Sequence, residues 1–258
     1  MTEYQWDDAG NFGKLYEELF VPSLFLPWGE KSVEAAAIKP GETVLDAACG
    51  TGVVARFARE KTSHVVGIDL SDAMLAAARE LDSTVEWRQG DVTDMPFDAN
   101  AFDVAICQFA LMFFPDKTRA LRELARVAKR LVVVVWQELD QSPGYREFVQ
   151  LIRETAGSEP ADVLASPFSL GDVATTRALF RDAGLSPTVA TDATEARFSS
   201  IADWVTTDVR ATPLTAHFDA QALEKLITAA QSTLSQYTDD SGVVRFPAPA
   251  HLFSCTTE

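Results

Sequence analysis

The sequence is poor in cysteine, in histidine and in positive charge. Its three cysteines, Cys49, Cys107 and Cys255, stand far apart, with no Cys-x-x-Cys pair and no Cys/His ligand spacing. That excludes a disulfide framework and a recognisable zinc motif, and it suits buried, reduced thiols in a cytosolic protein. Only 22 lysines and arginines stand against 38 acids, a formal net charge of -16. So negative a surface repels phosphate backbones and anionic lipids, which argues against nucleic-acid partners and against stable membrane association. Good solubility or a salty environment each account for the excess.

Long apolar runs are missing too. A stretch such as "LVVVVW", residues 131–136, is far too short to span a bilayer. The acidic start "MTEYQWDDAG" lacks the apolar centre of a secretory leader. A soluble, cytoplasmic protein is expected. Neither His-Glu-x-x-His, Gly-x-Ser-x-Gly nor Gly-x4-Gly-Lys-Ser/Thr occurs, so zincin, serine-hydrolase and P-loop chemistry find no support. No internal repeat, low-complexity tract or Pro/Gly-rich linker divides the chain. With 258 residues and 47% hydrophobic content, one well-buried domain with cap insertions is the simplest account.

What is present is an alternation of short β-branched runs and helical stretches between residues 40 and 137. "TVLDAA", "VVGIDL", "VEWRQGD", "FDVAICQFA" and "RLVVVVWQ" read as strands. "GVVARFAREK", "SDAMLAAARELD" (with Ser71 as N-cap) and "DKTRALRELARVAK" read as the intervening helices. Near-continuous apolar strands in such an order predict an α/β fold, a mostly parallel Rossmann-like sheet with helices on both faces. Beyond it, helices are expected at 143–156, at 171–183 (stopped by Gly184) and within 200–236. Two last strands, "SPTVATDATEARF" and "GVVRFPAPAHLFSCT", bring the sheet to seven. The core is expected at 40–137, an N-terminal lid at 1–30, and substrate-cap insertions at 138–170 and 199–238.

Three acids, Asp46, Asp69 and Asp91, fall 23 and 22 residues apart at successive strand ends, about one βα repeat each. Ligands of open parallel sheets bind beyond those ends, so the three acids can face one crevice. "VLDAACGTG", residues 44–52, sets Asp46 before Gly50 and Gly52, which let backbone approach a ligand closely. The next helix N-terminus suits a carboxylate. Asp69 can accept from two ribose hydroxyls, and Asp91 from an adenine amino group, with Val92 against the ring. Singly, each acid is a turn or cap residue, and a Gly-x-Gly is a turn. "GTGVVA" also satisfies the Gly-x-Gly-x-x-Ala dinucleotide pattern, which keeps an NAD-linked oxidoreductase open. Asp46 beside the loop argues against it, because pyrophosphate would be repelled.

"VLDAACGTG", "VVGIDLSDAML", "WRQGDVTDMPFDANAFDVAICQFALMFFPD" and "ALRELARV" together resemble the successive motifs of class I S-adenosylmethionine-dependent methyltransferases. The likeness is strongest to the small-molecule group that includes the ubiquinone/menaquinone-biosynthesis C-methyltransferases. It spans about residues 40–137 and concerns the cofactor far more than the acceptor. The resemblance implies S-adenosyl-L-methionine as cofactor, S-adenosyl-L-homocysteine as product, and a small, lipophilic acceptor. It puts Asp46, Ala48, Gly50 and Gly52 at the methionine end, Asp69 on the ribose and Leu70 and Met74 on the adenosine. Gly90, Asp91 and Val92 then receive the adenine, and Gln108 and Phe109 lie beneath the sulfonium. One departure is visible: "RVAKRLVVVVW" lacks the "KPGG" turn common before the fifth strand.

Aromatic residues crowd the N-terminal lid segment, where Trp6 and Tyr16 are the expected acceptor contacts, with Trp204 as a further wall. No metal is expected. No triad or paired-carboxylate site is found, and alignment of nucleophile, methyl and sulfur can alone contribute about 7–11 kcal/mol. Among the histidines, His64 reads as surface, His251 as a satisfied strand residue, and His217 as the one candidate general base. A protein that binds the cofactor without catalysis is the second expectation.

Overall fold

The computed structural model describes residues 12–257. Helices α1 (Phe12–Leu15) and α2 (Leu26–Ala36) are joined by a helical stretch, Tyr16–Phe25, widened to i→i+5 hydrogen bonding around Pro22. Pro22 has no N–H to donate, and such widened turns are rare and frequently stand at functional sites. There follow β1 (Thr43–Ala47), α3 (Val53–Arg59), β2 (His64–Asp69), α4 (Asp72–Leu81), β3 (Glu86–Gln89), β4 (Val104–Gln108), α5 (Lys117–Val127) and β5 (Arg130–Trp136). The remainder is α6 (Pro143–Ala156), α7 (Ser158–Ala165), α8 (Val173–Asp182), β6 (Thr188–Phe198), α9 (Ile201–Arg210), α10 (Ala220–Thr233) and β7 (Val244–Thr256).

The seven strands lie in the order β3-β2-β1-β4-β5-β7-β6, all parallel except β7, which runs antiparallel to both neighbours. Strands β1, β4 and β5 are buried along nearly their whole lengths, as strands covered on both faces must be. The chain winds outward through β1, β2 and β3, then returns to place β4 on the other side of β1. That reversal opens a crevice beyond the carboxyl ends of β1 and β4.

The expected elements form, and their ends have local causes. The Ser71 hydroxyl accepts from the Met74 N–H and starts α4. Gly184, at φ +85°, stops α8: its N–H reaches the Arg181 carbonyl and the Leu185 N–H reaches Phe180. The sequence reading missed α7 and assigned no helices to residues 12–36. These segments carry aromatic and proline residues whose pairing is set by tertiary packing. The missing "KPGG" turn shortens the link from α5 to β5 to two residues, Ala128 and Lys129. It lies at the sheet edge opposite the crevice.

Antiparallel β7 decides where the cap goes. Trp136, the last residue of β5, pairs with Ala250, so Val244–Pro249 runs on past the carboxyl end of β5 with β6 alongside. Helices α6, α7, α9 and α10 pack together on this overhang. Their centre is Trp204, fully buried against Tyr145, Phe148, Phe198, Tyr237 and Phe246.

At the opposite end of the sheet, both Glu42 oxygens accept from the Arg130 guanidinium at 2.8 and 2.9 Å, tying the start of β1 to that of β5. The Arg130 hydrogen bonds hold the Glu42 carboxyl down at about 2, against an ordinary value of 4.5. Because the folded value is depressed, the clasp stabilises fully above about pH 4.5 and is lost as pH falls toward 2. Glu42→Gln should therefore reduce stability at pH 7 by about 1–3 kcal/mol. Melting curves across pH 2–7 should show the variant losing less on acidification than the parent; parallel curves would refute the clasp.

Candidate active site

The crevice is built from strand ends held in unusual backbone. Ala48 (φ 55°), Gly50 (φ 53°) and Gly52 (φ 85°) follow β1, and Phe109 (φ 53°) follows β4. For a bulky residue such a conformation costs on the order of 1–3 kcal/mol and persists only where its surroundings enforce it. Phe109 has two restraints: its N–H donates to the Val134 carbonyl, and its ring stacks on Trp136 at 3.6 Å and 7°.

The acids divide by role. Buried Asp46 accepts from the Ala55 N–H at 2.8 Å, capping the first turn of α3 from β1. Burial raises its carboxyl to about 7, with Asp69 adding repulsion, while the Ala55 hydrogen bond and Arg56 act the other way. Asp69 accepts from the Gly50 N–H at 2.8 Å and the Ser71 N–H at 2.9 Å. Its value is also raised by burial, against the pull of those amides. Each Asp69 oxygen uses one acceptor direction on the backbone and keeps another for a ligand. Exposed Asp91 accepts from the Thr93 N–H at 2.7 Å, an Asx turn that shapes the loop after β3.

The two loop glycines serve different needs. A Cβ on Gly52 would stand 2.2 Å from the Trp87 ring, whereas one on Gly50 would meet nothing within 4 Å. Gly52 is thus required by packing, and Gly50 faces open space. Leu70, at the end of β2, is 68% exposed, an apolar side chain left uncovered beside Asp69. Met74 and Val92 are buried behind it, and a Cβ on Gly90 would press on Ile68 at 2.8 Å. Gln108 Oε1 accepts from the buried Ser32 hydroxyl at 2.6 Å.

The N-terminal helices lie across this crevice. Glu17 accepts from the Thr51 hydroxyl at 2.6 Å and from Arg56 at 2.7 Å, fastening the segment to the glycine loop. Tyr16 stacks on Phe25 at 5.3 Å and lines a cavity together with Phe109, Trp136, Tyr145, Phe168 and Asp208. Burial, then the charges of Asp69 and Glu17, push the Tyr16 phenol up, so it stays protonated. Trp6 lies outside the described residues. Trp204 is one layer behind the cavity wall and does not line it. His217 is exposed and away from the cavity lining. His251 Nε2 lies 3.1 Å from the Gly171 carbonyl and Nδ1 lies 2.7 Å from the Thr191 hydroxyl, so the ring is satisfied. Phe25 belongs to the aromatic lid segment that the sequence marks, whereas Trp136, Tyr145, Phe168 and Asp208 escaped the sequence reading. For Asp208 a signal existed: it falls on the apolar stripe of "IADWVTTDVR" with Ile201, Trp204, Val205 and Val209.

Residues 45–135 match the methyltransferase-domain family. That stretch of the sheet core is similar to a methyltransferase domain. Among curated relatives, the 2-phytyl-1,4-naphtoquinone methyltransferase of Synechococcus elongatus is 35% identical over 136 residues, 48% of this chain and 58% of its own length. The demethylmenaquinone methyltransferase of Desulfitobacterium hafniense is 31% identical over 131 residues, 46% of this chain and 52% of its own. The malonyl-[acyl-carrier protein] O-methyltransferase of Serratia marcescens is 32% identical over 111 residues, 43% and 44% of the two chains. The chain thus spans about half the length of these relatives.

Among solved structures, Haemonchus contortus phosphoethanolamine N-methyltransferase 2, complexed with phosphomonomethylethanolamine and S-adenosylhomocysteine, is 18% identical with a TM-score of 0.59. That likeness covers 96% of this chain and 57% of the other. The YcgJ protein of Bacillus subtilis is 20% identical, with a TM-score of 0.62 over 90% and 99% of the two chains. These likenesses establish the fold. No group of acidic, His and Cys side chains suited to a metal lies among the described residues, and no helix there is long and apolar enough to cross a membrane.

Gly52→Ala should lower stability by about 2–5 kcal/mol, combining left-handed strain with overpacking on Trp87. Gly50→Ala should cost only about 1 kcal/mol. Urea titration of both variants checks this, and equal losses would contradict the division between a packing glycine and a ligand-facing one.

Proposed function

We propose that this protein transfers a methyl group from S-adenosyl-L-methionine to a small, lipophilic acceptor. The observation that carries the reading is the junction of two unlike surfaces at Phe109. On one side lie the Asp69 carboxylate, the open space at Gly50 and exposed Leu70. On the other lies the aromatic cavity. A polar nucleoside end and an apolar acceptor fit those two sides, with the reacting atoms between them.

S-adenosyl-L-methionine, when bound, supplies a methyl carbon already activated by its positive sulfur. The residues here fit it. Asp69 has acceptor directions left for two ribose hydroxyls. Leu70 offers an apolar face to the adenine, with Gly90, Asp91 and Val92 alongside, while Ala48, Gly50 and the start of α3 border the methionine end. Asp46 and Asp69 bring negative charge toward a ligand that carries an ammonium and a sulfonium. Their attraction increases as the crevice loses water.

The remaining task is orientation. Phe109 and Gln108 form the floor, and Tyr16 and Phe25 close the roof through the Glu17 fastening. This arrangement supports alignment and exclusion of water over acid–base chemistry. The relatives named for naphthoquinone and malonyl acceptors share the same core, so the acceptor is chosen by the cap. Its aromatic lining favours a quinone-like ring over a flexible anion. The net charge of -16 disfavours nucleic acid, and three unpaired cysteines, two of them buried, suit a cytoplasmic setting.

Calorimetric titration with S-adenosylhomocysteine tests the cofactor half. Binding is expected, and Asp69→Ala should weaken it about 10- to 100-fold. Binding of NAD in its place would make the protein an oxidoreductase. Cofactor binding with no methyl released to any member of a quinol and phenol panel would make it a sensor. Because Asp46 ionises near pH 7, S-adenosylhomocysteine affinity should rise as pH is raised from about 6 to 8. Asp46→Asn should flatten that rise, and an unchanged profile would remove Asp46 from ammonium recognition.

A further inference from the structure

The acceptor cavity contains one group that the methyl-transfer reading does not use. Asp208, on the buried stripe of α9, is 2% exposed, and among the described residues its Oδ2 has no hydrogen-bond partner. It lines the cavity beside Tyr145, Phe168 and Thr212, and the lining contains no lysine, arginine or histidine. The Trp204 indole, one turn earlier on α9, and the Tyr145 hydroxyl both lie close enough to act on the acid. Oδ2 nevertheless has no partner in hydrogen-bond geometry, and no cation faces it from the cavity wall. Unpaired buried carboxyls are among the more destabilising features of a protein interior. Where one is kept at the wall of a cavity, the missing partner belongs in the cavity.

We infer that Asp208 is the polar anchor of the acceptor site, pairing with a hydroxyl carried by an otherwise apolar, flat aromatic acceptor. This rests on the methyltransferase reading for the word acceptor, though not for the binding itself. The aromatic character follows from the walls, where Phe109 stacks on Trp136 and Tyr16 on Phe25, the two stacks tilted against each other by 38–44°. The hydroxyl follows from the unpartnered Oδ2 and the lack of any cation in the cavity lining. Burial pushes the Asp208 carboxyl well above the ordinary carboxylate range, against the pull of Trp204 and Tyr145, and in its protonated form the group both donates and accepts. A hydroxyl matches both roles without bringing charge into an aromatic enclosure. An ammonium has donors only and would require the acid to ionise there. Asp208 therefore selects a phenolic or quinol-type ring over its unsubstituted or amine counterparts.

Equilibrium dialysis with three probes of one size tests this: 1-naphthol, naphthalene and 1-naphthylmethylamine, each with and without saturating S-adenosylhomocysteine. The unmodified protein should hold 1-naphthol about tenfold more tightly than naphthalene. Asp208→Leu should bring that ratio below about twofold while naphthalene binding is kept. Asp208→Asn, which still donates and accepts, should retain most of the preference. Parallel titration should find S-adenosylhomocysteine affinity equal in all three proteins. Failure of the parent to bind S-adenosylhomocysteine would sink the functional reading, while the naphthol-to-naphthalene ratio would still decide Asp208. Three results overturn the anchor: no naphthol preference in the parent, a preference undiminished in Asp208→Leu, or tighter binding of the amine. The parent ratio needs no variant to fold.

Discussion

The Asp69 carboxylate joins two strand ends, and the site is arranged around it. One oxygen accepts from the Gly50 amide and the other from Ser71, so a single side chain sets the path of the loop after β1 and the entry to α4. Once that loop is fixed, Gly52 must turn left-handed beneath Trp87, α3 must begin at Val53, and Asp46 must meet its first amides. Charge burial is the cost of this arrangement. Two acids are held close together with raised protonation values and no lysine bridging them. Such a cluster is tolerable where a cationic ligand is to be received.

A second constraint comes from the direction of one strand. Because β7 is antiparallel, its first half must overrun the carboxyl end of β5, and whatever packs on that overrun stands over the crevice. The cap helices settle there around Trp204, while the N-terminal helices close from the other side through Tyr16, Phe25 and Trp28. Trp28 is tied to this overrun by the hydrogen bond from its indole N–H to the Ala248 carbonyl. The result is an aromatic chamber whose floor, Phe109 on Trp136, is also the end of the crevice beyond β1 and β4. Mechanically, the reaction this chamber suits is one in which exclusion of water and alignment matter more than proton transfer.

The core was legible in the sequence because its information is local. Strand periodicity, the Ser71 cap, Gly184 and the spacing of Asp46, Asp69 and Asp91 each act within a few residues or one βα repeat. The aromatic chamber was not legible, because its residues come from six separate segments and meet only through tertiary packing. Trp204 illustrates the difficulty. Its size marked it as important, yet it supports the wall from behind, while the acid four residues later faces the cavity. Trp136 read only as the end of a strand, and Phe109 as a floor residue with no hint of its partner. His217 was chosen for its chemistry, and its exposure removes the geometric support for that choice.

A crystal structure of the protein with S-adenosylhomocysteine bound is the most direct measurement of the central claim. The account predicts ribose hydroxyls on Asp69, the adenine against Leu70, and the sulfur above Phe109 facing the chamber that Asp208 lines. A ligand whose sulfur pointed away from that chamber, or whose ribose lay elsewhere than on Asp69, would contradict it.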